Sequence, residues 1–147
     1  MAYRLLIVDD ALIMRRLIGE VARQAGWEVA GEAGNGQEAI DLYHQLRPDL
    51  VTMDLVMPIM GGFEAMRRIR EADPAARVVV VTAIDQKQAL YDAITHGAID
   101  FIVKPFEPSR IAGVLAKVQA AIDAERQRGA DSPSGDPSWT PTGGSAS

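Results

Sequence analysis

Five short apolar runs alternate with five amphipathic segments, and this alternation constrains the fold more than any other feature of the chain. The runs predict strands over residues 4–9, 27–33, 49–54, 77–82 and 99–103. The segments between and after them predict helices over residues 11–25, 37–46, 63–73, 86–96 and 107–126. Because each strand is followed by a helix that crosses back over the sheet, the order predicts an α/β fold, a doubly wound five-stranded parallel sheet with helices on both faces.

The strand assignments rest on the residue types in each run. Residues 78–81 are four consecutive valines, and β-branched residues favour strands. The runs that begin at Leu5 and Leu50 are apolar almost throughout, a pattern typical of strands buried on both faces. In the other five segments the apolar residues recur every three or four positions, which places them on one helical face.

Composition limits the location and the partners of the protein. With 147 residues, 48% apolar and 24% charged, the chain fits one soluble domain. No stretch approaches the roughly 18 apolar residues of a membrane span, and the start shows no cleavage-site pattern. The absence of cysteine excludes disulfide and thiolate chemistry, and the net charge of −5 argues against direct binding of nucleic acid. We therefore expect a cytoplasmic protein that binds neither membrane nor nucleic acid.

The composition changes near the C-terminus. Residues 129–147 are rich in Gly, Ser, Pro and Thr and offer almost nothing to bury, so we expect a folded domain over residues 1–128 and a flexible tail beyond it. Trp139 is the exception in the tail. It is interpreted either as an exposed aromatic residue in a linker or as an anchor for docking on this or another chain.

Polar residues lie at the carboxyl ends of the first, third, fourth and fifth predicted strands. Ligands of open parallel sheets bind outside the carboxyl ends of the strands. The residues at these ends are Asp9, Asp10, Asp54, Thr82 and Lys104. Each could be an ordinary charge or hydroxyl at a strand end, but their convergence on one edge favours a single site.

If strands one, three and five are neighbours, three carboxylates and one ammonium meet. Carboxylates this close cannot all ionise without a compensating charge, and an all-oxygen set of ligands matches Mg²⁺. Asp10 and Asp54 are the predicted direct ligands, with the backbone carbonyl of Val56 as a third. Asp9 is expected to contribute through a water molecule.

With a cation bound, Asp54 is the candidate nucleophile for a phosphoryl group. The transition state spreads negative charge over oxygens that Lys104 and the Thr82 hydroxyl can stabilise. The expected product is an acyl phosphate on Asp54.

Over residues 4 to about 124 the chain resembles a response-regulator receiver domain of two-component systems. The resemblance is carried by LLIVDD at 5–10, MDLVMP at 53–58, VTA at 81–83 and FIVKPF at 101–106. It implies a flavodoxin-like sheet of strand order 2-1-3-4-5 and a cis peptide bond before Pro105. It also implies that Asp54 accepts phosphate from the phosphohistidine of a histidine kinase, that Thr82 then shifts, and that Phe101 rotates inward, which reshapes helix four, strand five and helix five.

The stretch from residue 100 to 110 most resembles stand-alone chemotaxis receivers. That resemblance implies a flagellar motor switch protein, or another output protein, as the target, with a phosphatase as a further partner. We expect a monomer, with dimerisation on phosphorylation left open. Since no output domain follows helix five, we expect action by direct binding; the alternatives are a receiver cut from a longer DNA-binding regulator and a phosphate sink in a relay. Phe101 replaces the tyrosine frequent in chemotaxis receivers, so it brings no hydroxyl to a partner.

Two enzyme interpretations are weaker. Residues 34–39, GNGQEA, fit the dinucleotide fingerprint G-x-G-x-x-A, but they follow the second strand and leave Lys104 without a role. A phosphohydrolase with an aspartyl phosphate would carry a second acid at Val56. We therefore expect no catalytic turnover. We also expect slow loss of the phosphoryl group, because Val56 and Ile84 would flank the path of an attacking water and are apolar. His44 and His96 are expected to be surface residues.

Overall fold

The computed structural model describes residues 3–83 and 85–131, and it shows a five-stranded parallel sheet of order β2-β1-β3-β4-β5. The strands are β1 Tyr3–Val8, β2 Trp27–Ala33, β3 Leu50–Asp54, β4 Val78–Ala83 and β5 Asp100–Lys104. The helices are α1 Leu12–Gln24, α2 Gly36–Leu46, α3 Gly62–Ala72, α4 Lys87–Thr95 and α5 Pro108–Asp131. The predicted fold class and strand order are confirmed, and the peptide bond between Lys104 and Pro105 is cis as the resemblance implies.

The largest difference from the predicted bounds is at the end of α5. This helix ends at Asp131 and not at residue 126, because helix formation continues after the apolar pattern stops, through residue types such as Gln and Arg that favour helices. The predicted boundary between residues 128 and 129 therefore lies inside α5. The remaining tail with Trp139, and Ile84, lie outside the described residues.

The chain divides into two compact units, Met1–Ala116 and Lys117–Ser147. All five strands, α1 to α4 and every residue of the predicted site belong to the first unit. None of the helices in the described part of the chain is both long and apolar enough to cross a lipid bilayer.

The core of the first unit is built on the central strands. Every residue of β3 is buried, so this strand is covered on both faces as its apolar sequence predicts. On one face of the sheet, Val51 and Met53 pack in a cluster with Met66 and Ile69 of α3. Since Asp54 continues the same strand, the buried backbone of β3 fixes the position of its carboxylate.

The glycine-rich segment 34–39 forms the N-terminal cap of α2, and several of its backbone N–H groups are bonded within the protein. Asn35 is the N-cap of α2 and accepts a hydrogen bond from the Glu38 backbone N–H at 2.9 Å, while the Glu38 carboxylate accepts from the Gly34 N–H at 2.8 Å. The Gly36 N–H donates to the carbonyl of Met60 at 2.8 Å. These backbone donors are therefore already used, which removes the basis for a dinucleotide site here.

Thr52 is one of three buried residues in the described part of the chain with a polar side-chain atom that has no hydrogen-bond partner, and its replacement by valine is expected to stabilise the protein. Thr52 of β3 is buried between Ile7 and Val79 of the neighbouring strands, and its hydroxyl has no hydrogen-bond partner among the described residues. Because an unsatisfied buried hydroxyl keeps its full desolvation cost, Thr52→Val should raise the free energy of unfolding by about 1 kcal/mol. Urea unfolding measures the change. Thr95→Val makes the same chemical change at an exposed position of α4 and should give no gain; a destabilised Thr52→Val protein would contradict the prediction.

Candidate functional site

Asp9 follows β1 directly and is held by contacts on all sides. Its Oδ2 accepts a hydrogen bond from Lys104 Nζ at 2.8 Å, and its Oδ1 accepts from the Ala11 N–H at 2.9 Å. Its backbone carbonyl accepts from Arg15 Nη1 at 2.6 Å, and its N–H donates to the Ala33 carbonyl at 3.0 Å. The residue is 1% exposed. Asp9 is therefore a fixed carboxylate with both oxygens already engaged.

Asp54 ends β3 and is also buried, but it accepts fewer hydrogen bonds than Asp9. Its Oδ1 accepts one long hydrogen bond, 3.4 Å, from the Val56 N–H, and its Oδ2 lies 3.6 Å from Lys104 Nζ. Burial, followed by the negative charge of Asp9, raises the pKa of Asp54 from 3.8 to about 6, although Lys104 and the Val56 N–H act in the opposite direction. The Asp54 carboxylate thus keeps lone pairs that no protein donor satisfies.

Three carboxylates form one group at this edge of the sheet. Asp9, Asp10 and Asp54 each offer an oxygen, and these oxygens lie within 4.8 Å of one another. Asp10 is exposed and the other two are buried, so the group is open on the side of Asp10. A hard divalent cation fits this donor set, because it prefers oxygen ligands and would offset the repulsion that raises the pKa of Asp54.

Lys104 supplies the positive charge of the site. It is the last residue of β5, and its side chain is 22% exposed. Burial works against its charge, but the hydrogen bond to Asp9 and the charges of Asp54 and Asp9 outweigh that cost and raise the pKa of Lys104. The ammonium therefore stays protonated and lies between two carboxylates.

Thr82 and Phe101 occupy different surroundings from the four charged residues. In the register of the sheet Asp54 pairs with Val81, so Thr82 is one position farther along β4. Thr82 is buried, and its hydroxyl has no partner within the part of the chain that the structure describes. Phe101 pairs with Val80 and lies at the surface. The structure brings Asp9, Asp10, Asp54 and Lys104 together; the switch roles of Thr82 and Phe101, and the Val56 carbonyl as a ligand, stay predictions.

Two residues that position the site were missed by sequence reasoning. Arg15 of α1 holds the Asp9 carbonyl and also pairs with Glu32 of β2 at 3.0 Å, so it ties the end of β1 to the neighbouring strand. Gly62 begins α3 so close to Asp54 that an added Cβ would lie 2.0 Å from the Asp54 carbonyl oxygen. The glycine pair at residues 61–62 was a signal for Gly62, but the pattern for Arg15 is only that of an ordinary helical arginine.

His44 and His96 are exposed, as expected. His96 Nδ1 lies 2.8 Å from the Asp92 carbonyl oxygen, which accepts a hydrogen bond from it when Nδ1 carries the proton, and the His96 ring meets the Phe63 ring edge to face at 5.0 Å. Neither histidine lies in the acidic group.

Comparisons with known proteins agree with the fold. The family model described as a response regulator receiver domain matches residues 5–116, and the chain belongs to this family. Its relatives include the chemotaxis protein CheY of Thermotoga maritima, 50% identical over 118 residues that cover 80% of this chain and 98% of the relative. The resemblance stated from the sequence motifs is thereby confirmed.

Solved structures show the same likeness. The REC domain of AraT, a response regulator from Geobacillus stearothermophilus, superimposes with a TM-score of 0.80 at 35% identity and covers 86% of this chain and 99% of that domain. A chain of the CheX–CheY–BeF3–Mg²⁺ complex from Borrelia burgdorferi superimposes with a TM-score of 0.72 at 32% identity, covering 82% of this chain and 89% of that one.

Proposed function

We propose that this protein is a phosphorylation-activated signalling switch of chemotaxis that takes a phosphoryl group from a histidine kinase on Asp54. The observation that carries the proposal is the difference between the two buried carboxylates. Asp9 has both oxygens occupied, whereas Asp54 accepts only one long hydrogen bond and faces the Lys104 ammonium at 3.6 Å. Of the two, Asp54 is the one with an oxygen free to form a bond.

The proposed transfer assigns a role to each charged residue. An Asp54 oxygen attacks phosphorus, the bond from phosphorus to the histidine nitrogen breaks, and the histidine keeps the electron pair of that bond. Lys104 lies where it can offset the charge on the transferring oxygens, and Asp9 holds the ammonium in place. Mg²⁺ held by Asp10, Asp54 and the Val56 carbonyl, with Asp9 contributing through water, would neutralise charge during transfer.

The proposed partners follow from the family and from its chemotaxis members. The identity to a chemotaxis protein CheY supports a kinase as donor and a flagellar motor switch protein as target, and favours these over a DNA-binding regulator. In the Borrelia structure, CheY is accompanied by CheX, BeF3 and Mg²⁺; a phosphatase is the third partner that we propose for this chain. In this proposal the protein acts in the cytoplasm as a monomer without enzymatic turnover. Thr82 and Phe101 transmit the effect of phosphorylation from Asp54 to the surface, and the phosphoryl group is lost slowly.

Phosphorylation by a small donor tests the proposal. With acetyl phosphate and Mg²⁺, the wild-type protein should gain one phosphoryl group by intact-protein mass spectrometry, and Asp54→Asn should gain none because it lacks the attacking oxygen. Asp41→Asn, which removes an exposed carboxylate from α2, should be labelled like the wild type. Equal labelling of wild type and Asp54→Asn would refute Asp54 as the acceptor.

A further inference from the structure

Arg110, in the first turn of α5, contacts Phe101 through both its backbone and its ring. The Arg110 Nη2 donates a hydrogen bond to the Phe101 carbonyl. The carbon of the guanidinium lies 5.8 Å from the centroid of the Phe101 ring, within the range of attraction between a cation and an aromatic face. The same Nη2 is 3.6 Å from Asp100 Oδ1, which accepts a hydrogen bond from the Phe101 N–H at 2.8 Å.

Only one of these contacts depends on where the Phe101 ring points. The hydrogen bond of Arg110 goes to the backbone carbonyl of Phe101, and its ion pair goes to the Asp100 carboxylate, so both can hold the guanidinium in place for any rotamer of Phe101. The contact with the ring exists only while the ring stays at the surface, where Phe101 is 38% exposed. A ring that turns inward exchanges this contact for burial, so the guanidinium opposes the turn.

We infer that Arg110 is a positioning residue for Phe101, which holds the ring at the surface and thereby sets how often it turns inward before phosphorylation. The inference rests on the proposed function, in which inward rotation of Phe101 is the activating change. A contact of this kind at an exposed site corresponds to an outward-to-inward ratio that is about two- to five-fold higher than without it. Arg110 is therefore a tuning residue for the switch and has no part in phosphoryl transfer.

Fluorine NMR of the full chain tests the inference. The protein has three phenylalanines, and after incorporation of 4-fluorophenylalanine the Phe101 signal is the one that disappears in Phe101→Leu. The difference in chemical shift between H₂O and D₂O reports how exposed each ring is to solvent. The variants are Arg110→Gln, which removes the charge, and Arg110→Lys, which retains it. Arg23→Gln is the matched control, because it makes the same charge change at an exposed residue of α1.

The sign of the effect separates positioning from simple contact. If Arg110 holds the ring outward, Arg110→Gln should decrease the solvent effect on the Phe101 signal, Arg110→Lys should restore part of it, and Arg23→Gln should leave it unchanged. If Arg110 only covers a ring that stays outward, its removal exposes the ring and the solvent effect increases. An increase, or no change, in Arg110→Gln overturns the inference.

A second measurement keeps the two proposals apart. Beryllium fluoride with Mg²⁺ added to the wild-type protein should decrease the solvent effect at Phe101 if the proposed switch operates. If beryllium fluoride and Mg²⁺ do not change the solvent effect at Phe101, the switch is refuted. A decrease of the solvent effect caused by Arg110→Gln would still support the positioning role. If beryllium fluoride and Mg²⁺ decrease the solvent effect at Phe101 but Arg110→Gln does not change it, the switch is supported and the positioning role is refuted.

Discussion

Replacement of Asp54 by asparagine is expected to stabilise the metal-free protein at pH 7.5 by up to about 3 kcal/mol. The cause is the burial of the Asp54 carboxylate beside Asp9, which raises its pKa to about 6 from 3.8. At pH 7.5 the folded protein must hold this group ionised in surroundings that disfavour the charge. Asparagine has nearly the same shape and no charge, so the cost disappears.

The pH dependence follows from the direction of the shift. A group whose pKa is raised on folding contributes stability below its unfolded pKa, and that contribution is lost as the pH rises through the folded pKa. The stability of the metal-free wild type relative to Asp54→Asn should therefore fall between about pH 4 and pH 6 and level off above that window. Urea unfolding in EDTA across pH 4 to 8 measures the difference.

Mg²⁺ and a charge-matched variant provide the controls. Added Mg²⁺ should narrow the gap, because the cation stabilises the ionised carboxylates of the wild type and loses a ligand in Asp54→Asn. Glu20→Gln removes the same charge from an exposed position of α1 and should change stability little at any pH. Equal urea midpoints for wild type and Asp54→Asn at pH 7.5 in EDTA would show that burial of Asp54 carries no such cost.

Gly62→Ala is expected to destabilise the protein by about 3 kcal/mol, since overpacking at a rigid position forces the backbone to move. The added Cβ would lie 2.0 Å from the Asp54 carbonyl oxygen and 2.9 Å from Cγ of Met53, and the Gly62 N–H is bonded to the Leu55 carbonyl at 3.0 Å. Because the displaced backbone carries Asp54, labelling by acetyl phosphate should fall together with stability. Urea unfolding and the rate of labelling measure the two effects.

Gly113 provides the control for this substitution. It lies within α5, and an added Cβ there meets nothing within 4 Å. Gly113→Ala should therefore stabilise the protein by up to about 1 kcal/mol, because alanine favours helices more than glycine does. If the two alanine variants had the same stability, close approach at Gly62 could not be the cause.

The sequence predicts those parts of the fold and site that depend on one run of residues at a time. Apolar runs such as residues 78–81 identify strands, and a carboxylate at the end of such a run, as at Asp54, identifies the edge that carries the site. The end of α5 was missed because amphipathic periodicity stops before helix formation does. Arg15, Arg110 and Gly62 were missed because their roles depend on which atoms approach each other after folding.

The ion pair of Lys104 with Asp9 also bears on the order in which the protein is built. It joins residues 95 positions apart, the first strand to the last. The chain is synthesised from its N-terminus, so β1 and β3 emerge from the ribosome before β5, and contacts of such long separation are expected to form late because closing a long loop costs entropy. A nascent chain that ends before β5 has the three carboxylates but lacks the Lys104 ammonium. We therefore expect Asp54 to accept a phosphoryl group only when the sheet is complete.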